Sequence, residues 1–291
     1  MERDPLAPTR LAFAEQIRAL APLRSDALVR ALSSVARERF VGPGPWKILR
    51  PDRLGNGYQC TPDDDPRHLY DNVLVALDAE RNLNNGEPAA LARWIERLEL
   101  RAGDALLHVG CGVGYYTAIA AELVRPDGRV VAVEIDPVLA ERARRSLAAD
   151  AGVTVVSGDG SGLREARFDA IFVNAGATEP AASWLDALHP GGRLLVPLTV
   201  ELPGRDLGAG HMLLVVRRPA GWSARFVSTV GIFHCAGART PAGAALLGQA
   251  YRRGATEAVR SLRREPHRAG PDCWLHAPDF CLSRAAPSEP G

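Results

Sequence analysis

Short apolar runs alternate with helix-spaced apolar positions through the middle of the chain. The runs Ala105–Val109, Val130–Asp136 (VVAVEID), Val153–Val156, Phe168–Ala177 (FDAIFVNAGA) and Leu188–Leu198 (LHPGGRLLVPL) read as strands. Between the second and third, Val138, Leu139, Ala143 and Leu147 recur at helical spacing. They predict an amphipathic crossover helix over Pro137–Ala149, and with it a right-handed parallel βαβ unit. A helix over Pro88–Leu100 precedes the first strand. After the fifth, His211–Val216 and Arg225–Gly231 predict a hairpin joined by Pro219-Ala220-Gly221. Upstream, helices are predicted near Leu11–Leu20 and over Ser25–Phe40, the latter capped by Ser25 or Asp26. Val41–Pro66 is rich in Gly, Pro and Asp and reads as an extended loop carrying Trp46, Ile48, Leu49, Leu54 and Tyr58. Such a loop either covers a site or contacts a peptide, or else packs across a sheet edge. Pro241–Arg253 and Thr256–Arg264 read as helices. The fold class is α/β, a mostly parallel sheet flanked by helices.

One turn carries candidate chemistry. LHVGCGVGYYTAIAAEL (Leu107–Leu123) is a strand that ends in glycines and opens a helix. Gly110, Gly112 and Gly114 lack the Cβ that would block close approach of a ligand, and the helix start near Tyr115 offers free N–H groups. Glu134, ending the next strand, stands where a nucleotide-binding α/β fold places an acid for ribose hydroxyls. The spacing is not that of a dinucleotide site, because Tyr115 stands at the third glycine of G-x-G-x-x-G. No Gly-Lys-Ser/Thr follows, which excludes a P-loop.

This turn with its downstream Glu resembles motif I of S-adenosylmethionine (AdoMet) methyltransferases. SGDGSGL (Ser157–Leu163) places Asp159-Gly160 after the third strand, where such enzymes have the acid that receives the adenine amino group. The likeness narrows with VARERFVGPGPW (Val35–Trp46), LYDNVL (Leu69–Leu74), the GDG turn, FDAIFVNAGA and GGRLLVPL. Over about Ser25 to Gly231 these segments are similar to the protein-L-isoaspartate O-methyltransferase family. The resemblance implies a Rossmann-like class I fold with a seven-stranded sheet, N-terminal helices and a C-terminal extension. It implies AdoMet as cofactor, and as partner a protein or peptide bearing an acceptor carboxylate. The cofactor contacts it implies are His108, Gly110, Cys111, Gly112, Gly114, Tyr116, Glu134, Ile135, Asp159, Gly160 and Asn174. The domain division it suggests is 1–87 for acceptor-site helices and loops, 88–231 for the AdoMet-binding domain and 232–291 for a helical extension and tail.

Two departures stand out. The family carries a Thr-Ile-Ser-x-Pro type segment whose hydroxyl lies beside the transferred methyl. With Pro88 as the matching proline, the hydroxyl positions fall on Asn84, Asn85 and Gly86, and no hydroxyl remains. His108 replaces the usual acid two residues before the first glycine. Asn84, Asn85, Gly86 and Glu87 are therefore the candidate acceptor-site residues, the two amides supplying donors for a carboxylate; the other reading is a polar turn ahead of a helix. A carboxylate acceptor is already ionised near neutral pH and needs no general base. The side chains that could serve as one are His68, Asp71, Glu87 and His234. Methylation of another peptide or small molecule, or AdoMet binding without catalysis, stay open at this point.

Composition narrows the rest. The 291 residues carry 35 basic and 34 acidic side chains, a formal charge of +1, so no field for nucleic acid or membranes is implied. An odd number of cysteines and no CxxC argue against a secreted disulfide framework. With no apolar leader or membrane-length run, the expected location is cytoplasmic. His267, Cys273, His276 and Cys281 invite a zinc reading, but their spacing matches no standard finger. No metal is expected; the tail is expected to dock through Trp274, Leu275, Phe280 and Leu282.

Overall fold

Some helices begin where a capping side chain and a proline or acid set the first turn. Asp136 accepts the N–H groups of Val138 and Leu139 at 2.9 and 3.1 Å, with Pro137 following it. Ser25 accepts that of Leu28 at 3.1 Å. The computed structural model describes residues 4–52, 57–162, 166–204 and 207–287. They fall into two compact units, Met1–Gly103 with Cys111–Ser157, and Asp104–Gly110 with Gly158–Gly291.

Elements are numbered along the chain. The first unit contains α1 (Ala7–Leu20), α2 (Asp26–Ser34), α3 (Glu38–Val41), β1 (Lys47–Leu49), β2 (Gln59–Cys60), β3 (Leu74–Asp78), β4 (Leu83–Asn84) and α4 (Pro88–Arg97). After β5 (Ala105–Val109) of the second unit come α5 (Tyr115–Val124), β6 (Arg129–Glu134), α6 (Pro137–Ser146) and β7 (Val153–Ser157). β6 and β7 pair in parallel, Val130 beside Val153, as the crossover pattern requires. The long helix expected over Ser25–Phe40 is broken, because Val35 is extended (φ −81°, ψ 113°) between α2 and α3. The loop expected over Val41–Pro66 contains β1 and β2, which join β3 and β4 in a small antiparallel sheet. Its Trp46 is buried with Val41, Leu69, Val73 and Val75, so there the packing reading holds; Leu54 lies outside the described residues.

Buried Arg37 ties this unit together. Its guanidinium donates to the carbonyls of Leu69 (2.6 Å), Asp71 (3.2 Å) and Val73 (2.6 Å) and lies over the rings of Phe13 and Tyr115. Tyr70 donates to Glu38, while its oxygen accepts the Arg37 N–H at 3.1 Å. Phe40 meets Tyr115 edge-on at 5.6 Å. The RERF and LYDNV stretches are thus one hydrogen-bonded knot that fixes the chain ahead of β3.

The second unit adds β8 (Phe168–Val173), α7 (Ala182–Asp186), β9 (Leu188–Glu201), β10 (Gly208–Arg218), β11 (Gly221–Ile232), α8 (Pro241–Arg253), β12 (Ser261–Arg263), β13 (Cys273–His276) and β14 (Cys281–Ser283). β5, β8 and β9 run parallel in that order. β10 and β11 continue antiparallel, as the hairpin reading expected. Among the described residues the extension forms no α-helix after α8. Only a single turn forms at Thr256–Ala258, and Ser261–Arg263 pairs with β11 and β14 instead. Ser261 and Leu262 are both buried in this pairing, and the tertiary contacts override the helical propensity of the arginines.

Candidate active site

The three motif glycines differ in what they face. Gly110, Gly112 and Gly114 all have positive φ (74°, 57° and 92°), so each turn residue favours glycine. A Cβ on Gly114 would lie 2.6 Å from Leu147 Cδ1, which makes this glycine a packing requirement of α5 against α6. A Cβ on Gly110 would press on the Asn174 carbonyl oxygen at 3.1 Å. Only at Gly112 would a Cβ enter open space, with nothing within 4 Å. The Gly112 N–H donates to Glu134 Oε2 at 2.7 Å, and Asp136 N–H to Oε1 at 3.0 Å. Glu134 is buried, yet each oxygen keeps a second lone pair for a ligand hydroxyl. The adjacent Ile135 is 53% exposed, an apolar face beside this acid.

Other expected contacts are built into the protein interior. His108 is buried and stacks on Phe172 at 4.9 Å; burial pushes its pKa down to about 3, so the imidazole is neutral. Burial and the Glu134 charge raise the Cys111 thiol far above its usual range, leaving it an unreactive wall. Tyr116 is buried against Tyr115 (4.9 Å), and its hydroxyl lies 3.5 Å from the Gly86 carbonyl. Gly160 is pressed on Val109, where a Cβ would come within 2.7 Å, and its carbonyl accepts the Trp184 indole N–H at 2.9 Å. Exposed Asp159 accepts both the N–H and the hydroxyl of Ser161 (2.9 and 2.8 Å). Gly237 passes so close that any Cβ there would strike this carboxylate. Asn174 donates its N–H to Val109 at 2.8 Å, while its buried Oδ1 has no partner among the described residues.

The acceptor segment separates the two asparagines. Asn84 Oδ1 accepts the Gly86 N–H at 2.9 Å and its Nδ2 donates to Asn82 at 3.3 Å, so this side chain holds its own turn. Asn85 is anchored by its backbone N–H to Val75 (2.9 Å), and its buried Nδ2 has no partner among the described residues. Glu87 accepts from Asn72 Nδ2 at 3.0 Å, and Asn72 Oδ1 accepts the Ala89 N–H at 2.9 Å. Asn72 therefore caps α4 and positions Glu87. Arg37 lies between Ala36 and Glu38, and Asn72 between Asp71 and Val73, so neither role is marked by its neighbours along the chain.

The candidate bases are engaged elsewhere. Asp71 binds Gln16 (2.7 Å) and Arg50 (2.6 Å). Burial alone would raise its pKa, but hydrogen bonds from Gln16, Asn72 and Arg50 outweigh it and hold the carboxyl below its ordinary range. His68 pairs with Asp63 at 2.7 Å. Both side chains are thus committed to partners within the protein.

These features fit an adenosyl cofactor. An open cradle at Gly112 and spare acceptor capacity on Glu134 suit the hydroxyl groups of such a ligand. The fold agrees. A solved protein-L-isoaspartate O-methyltransferase superposes with a TM-score of 0.63 over 96% of this chain and 88% of its own, at 20% identity. A second, from Plasmodium falciparum and in complex with S-adenosyl-L-homocysteine, gives 0.57 over 78% and 97%, at 17% identity. The architecture is that of the class I methyltransferases. The family model described as protein-L-isoaspartate(D-aspartate) O-methyltransferase matches residues 64–205. The enzyme of that name from Methanopyrus kandleri is 35% identical over 191 residues, 63% of this chain and 74% of the relative. That from Aeropyrum pernix is 34% identical over 202 residues, 68% and 69%. The chain belongs to the protein-L-isoaspartate O-methyltransferase family, and it is an AdoMet-dependent methyltransferase.

Proposed function

We propose that the chain methylates the misplaced carboxylate of isoaspartyl residues in proteins or peptides, the α-carboxylate left free by the isopeptide link, with Asn85 in place of the family's hydroxyl. The observation that carries this reading is the buried Asn85 amide, without a partner among the described residues, on a segment whose backbone is pinned at Val75 and beside Gly86. An amide N–H2 donates to a carboxylate and cannot serve as a base. The engagement of Asp71 and His68 points the same way, because an ionised carboxylate needs no proton removed. AdoMet supplies a methyl on a sulfonium, transferred in line to an acceptor oxygen.

The chain's own residues then bind and orient. Gly112 and its neighbours Gly110, Cys111 and Gly114 form the turn, Glu134 takes the ribose hydroxyls, and Ile135 offers an apolar face to adenine. Asp159 with Gly160 receives the adenine amino group, and Asn174 receives an N–H donor through its free oxygen. His108, being neutral, brings no charge to the methionine end. Tyr116 and Glu87 position the Asn84–Gly86 turn. Residues 1–87 serve the acceptor and 88–231 the cofactor. No helix among the described residues is long and apolar enough to cross a membrane.

The test is transfer of labelled methyl from AdoMet to matched isoaspartyl and aspartyl peptides. Base-labile label on the isoaspartyl peptide alone is expected, and Asn85→Ala is expected to raise KM for it with AdoMet affinity unchanged. No label on either peptide, with AdoMet bound, would overturn the acceptor assignment.

A further inference from the structure

Along the chain His267, Cys273, His276 and Cys281 invite a zinc reading, but lie at spacings foreign to zinc fingers. The hairpin of β13 and β14 changes their relation. Residues 273 and 276 would point to opposite faces of a regular strand. A register shift between Cys273 and Leu275 inserts one extra residue and turns both to the same side. His276 pairs directly with Cys281 across the ladder, and the chain before β13 brings His267 to the group. One ligand atom from each of His267, Cys273, His276 and Cys281 lies within 4.8 Å of all the others.

We propose that these four residues bind one zinc ion as a closed structural site. Zinc–sulfur bonds of about 2.3 Å and zinc–nitrogen bonds of about 2.0–2.1 Å in a tetrahedron give S···N edges of about 3.6 Å. Cys273 Sγ lies 3.6 Å from His267 Nε2 and 3.9 Å from His276 Nδ1. The supporting shell is also in place. His267 Nδ1–H donates to the Glu265 carbonyl at 2.9 Å, which turns the Nε2 lone pair toward the sulfur. The Gly270 N–H donates to Cys273 Sγ at 3.4 Å, a bond suited to a thiolate. Two thiolates and two neutral imidazoles neutralise Zn²⁺ and fill its four positions, so the site has no opening for catalysis. The ligands lie in the extension, beyond the residues 64–205 that the family model matches. The hairpin they close carries buried Trp274, which packs on Phe226 (5.2 Å) and Tyr251 (5.6 Å) and donates to Gly254 at 2.7 Å. The ion holds that tail against α8 and β11.

The experiment uses the full chain, purified under reducing conditions and dialysed, with zinc measured by elemental analysis. One zinc per chain is expected. After chelation, titration with Co²⁺ should give a tetrahedral d–d spectrum and a thiolate charge-transfer band, both abolished by adding zinc. His267→Ala, the mildest ligand change because His267 is partly exposed, should weaken zinc binding by more than the 10–100-fold typical of losing a supporting contact. Removing zinc should lower the unfolding temperature. A cooperatively folded wild-type chain with no zinc and no cobalt–thiolate band would overturn the proposal, as would a Cys273–Cys281 disulfide in the reduced preparation.

Discussion

Gly112 and Gly114 sit two residues apart with the same backbone handedness, yet the structure assigns them different work. Replacing either by alanine forces a non-glycine residue into the left-handed region, at a cost of about 1–2 kcal/mol. At Gly112 that is the whole structural cost, because a Cβ meets nothing within 4 Å. At Gly114 the new methyl lies 2.6 Å from Leu147 Cδ1 and 3.5 Å from Ala143 Cβ. Overpacking adds about 1–3 kcal/mol, so Gly114→Ala totals about 2–5 kcal/mol. For a chain of this size each kcal/mol moves the unfolding midpoint by about 2–4 °C. Gly112→Ala should therefore unfold only about 2–8 °C lower, yet lose AdoMet affinity at least about tenfold, or 1.4 kcal/mol. The assay is isothermal titration with AdoMet beside calorimetric unfolding of both variants. Gly112→Ala binding AdoMet within twofold of wild type would refute the reasoning, since the open space at Gly112 would then not be cofactor space.

Two further predictions concern the interior. Arg37→Met deletes donors to the buried carbonyls of Leu69 and Val73, and should cost on the order of 3–5 kcal/mol in urea unfolding; a loss below about 1 kcal/mol would show that water or a shifted backbone replaces those bonds. His108 has its folded pKa depressed from 6.5 to about 3. Its contribution is thus complete above the unfolded value and is lost as pH falls through 6.5 toward 3. Unfolding free energy should fall by about 1.4 kcal/mol per pH unit from this residue across that window. His108→Leu should flatten the slope, and an unchanged slope would assign it to other groups.

Much of the nucleotide-binding core could be read from local rules. Strand runs, the glycine turn, the Ser25 and Asp136 caps and the β10–β11 hairpin depend on near neighbours in sequence, and the structure shows them. The sequence by itself also determined that the hydroxyl of the acceptor segment is gone, and that two amides stand there. Which amide is available was decided by tertiary structure, because Asn84 closes its own turn while buried Asn85 Nδ2 has no partner among the described residues. Packing likewise distinguished Gly114 from Gly112, since the difference is the position of Leu147. The extension was least legible. Arginine-rich Thr256–Arg264 has local helical character, but pairing with β11 and β14 prevails. The convergence of His267, Cys273, His276 and Cys281 rests on one bulge and one register. Face parity along a strand is set by its partner, so no spacing rule along the chain could have revealed it.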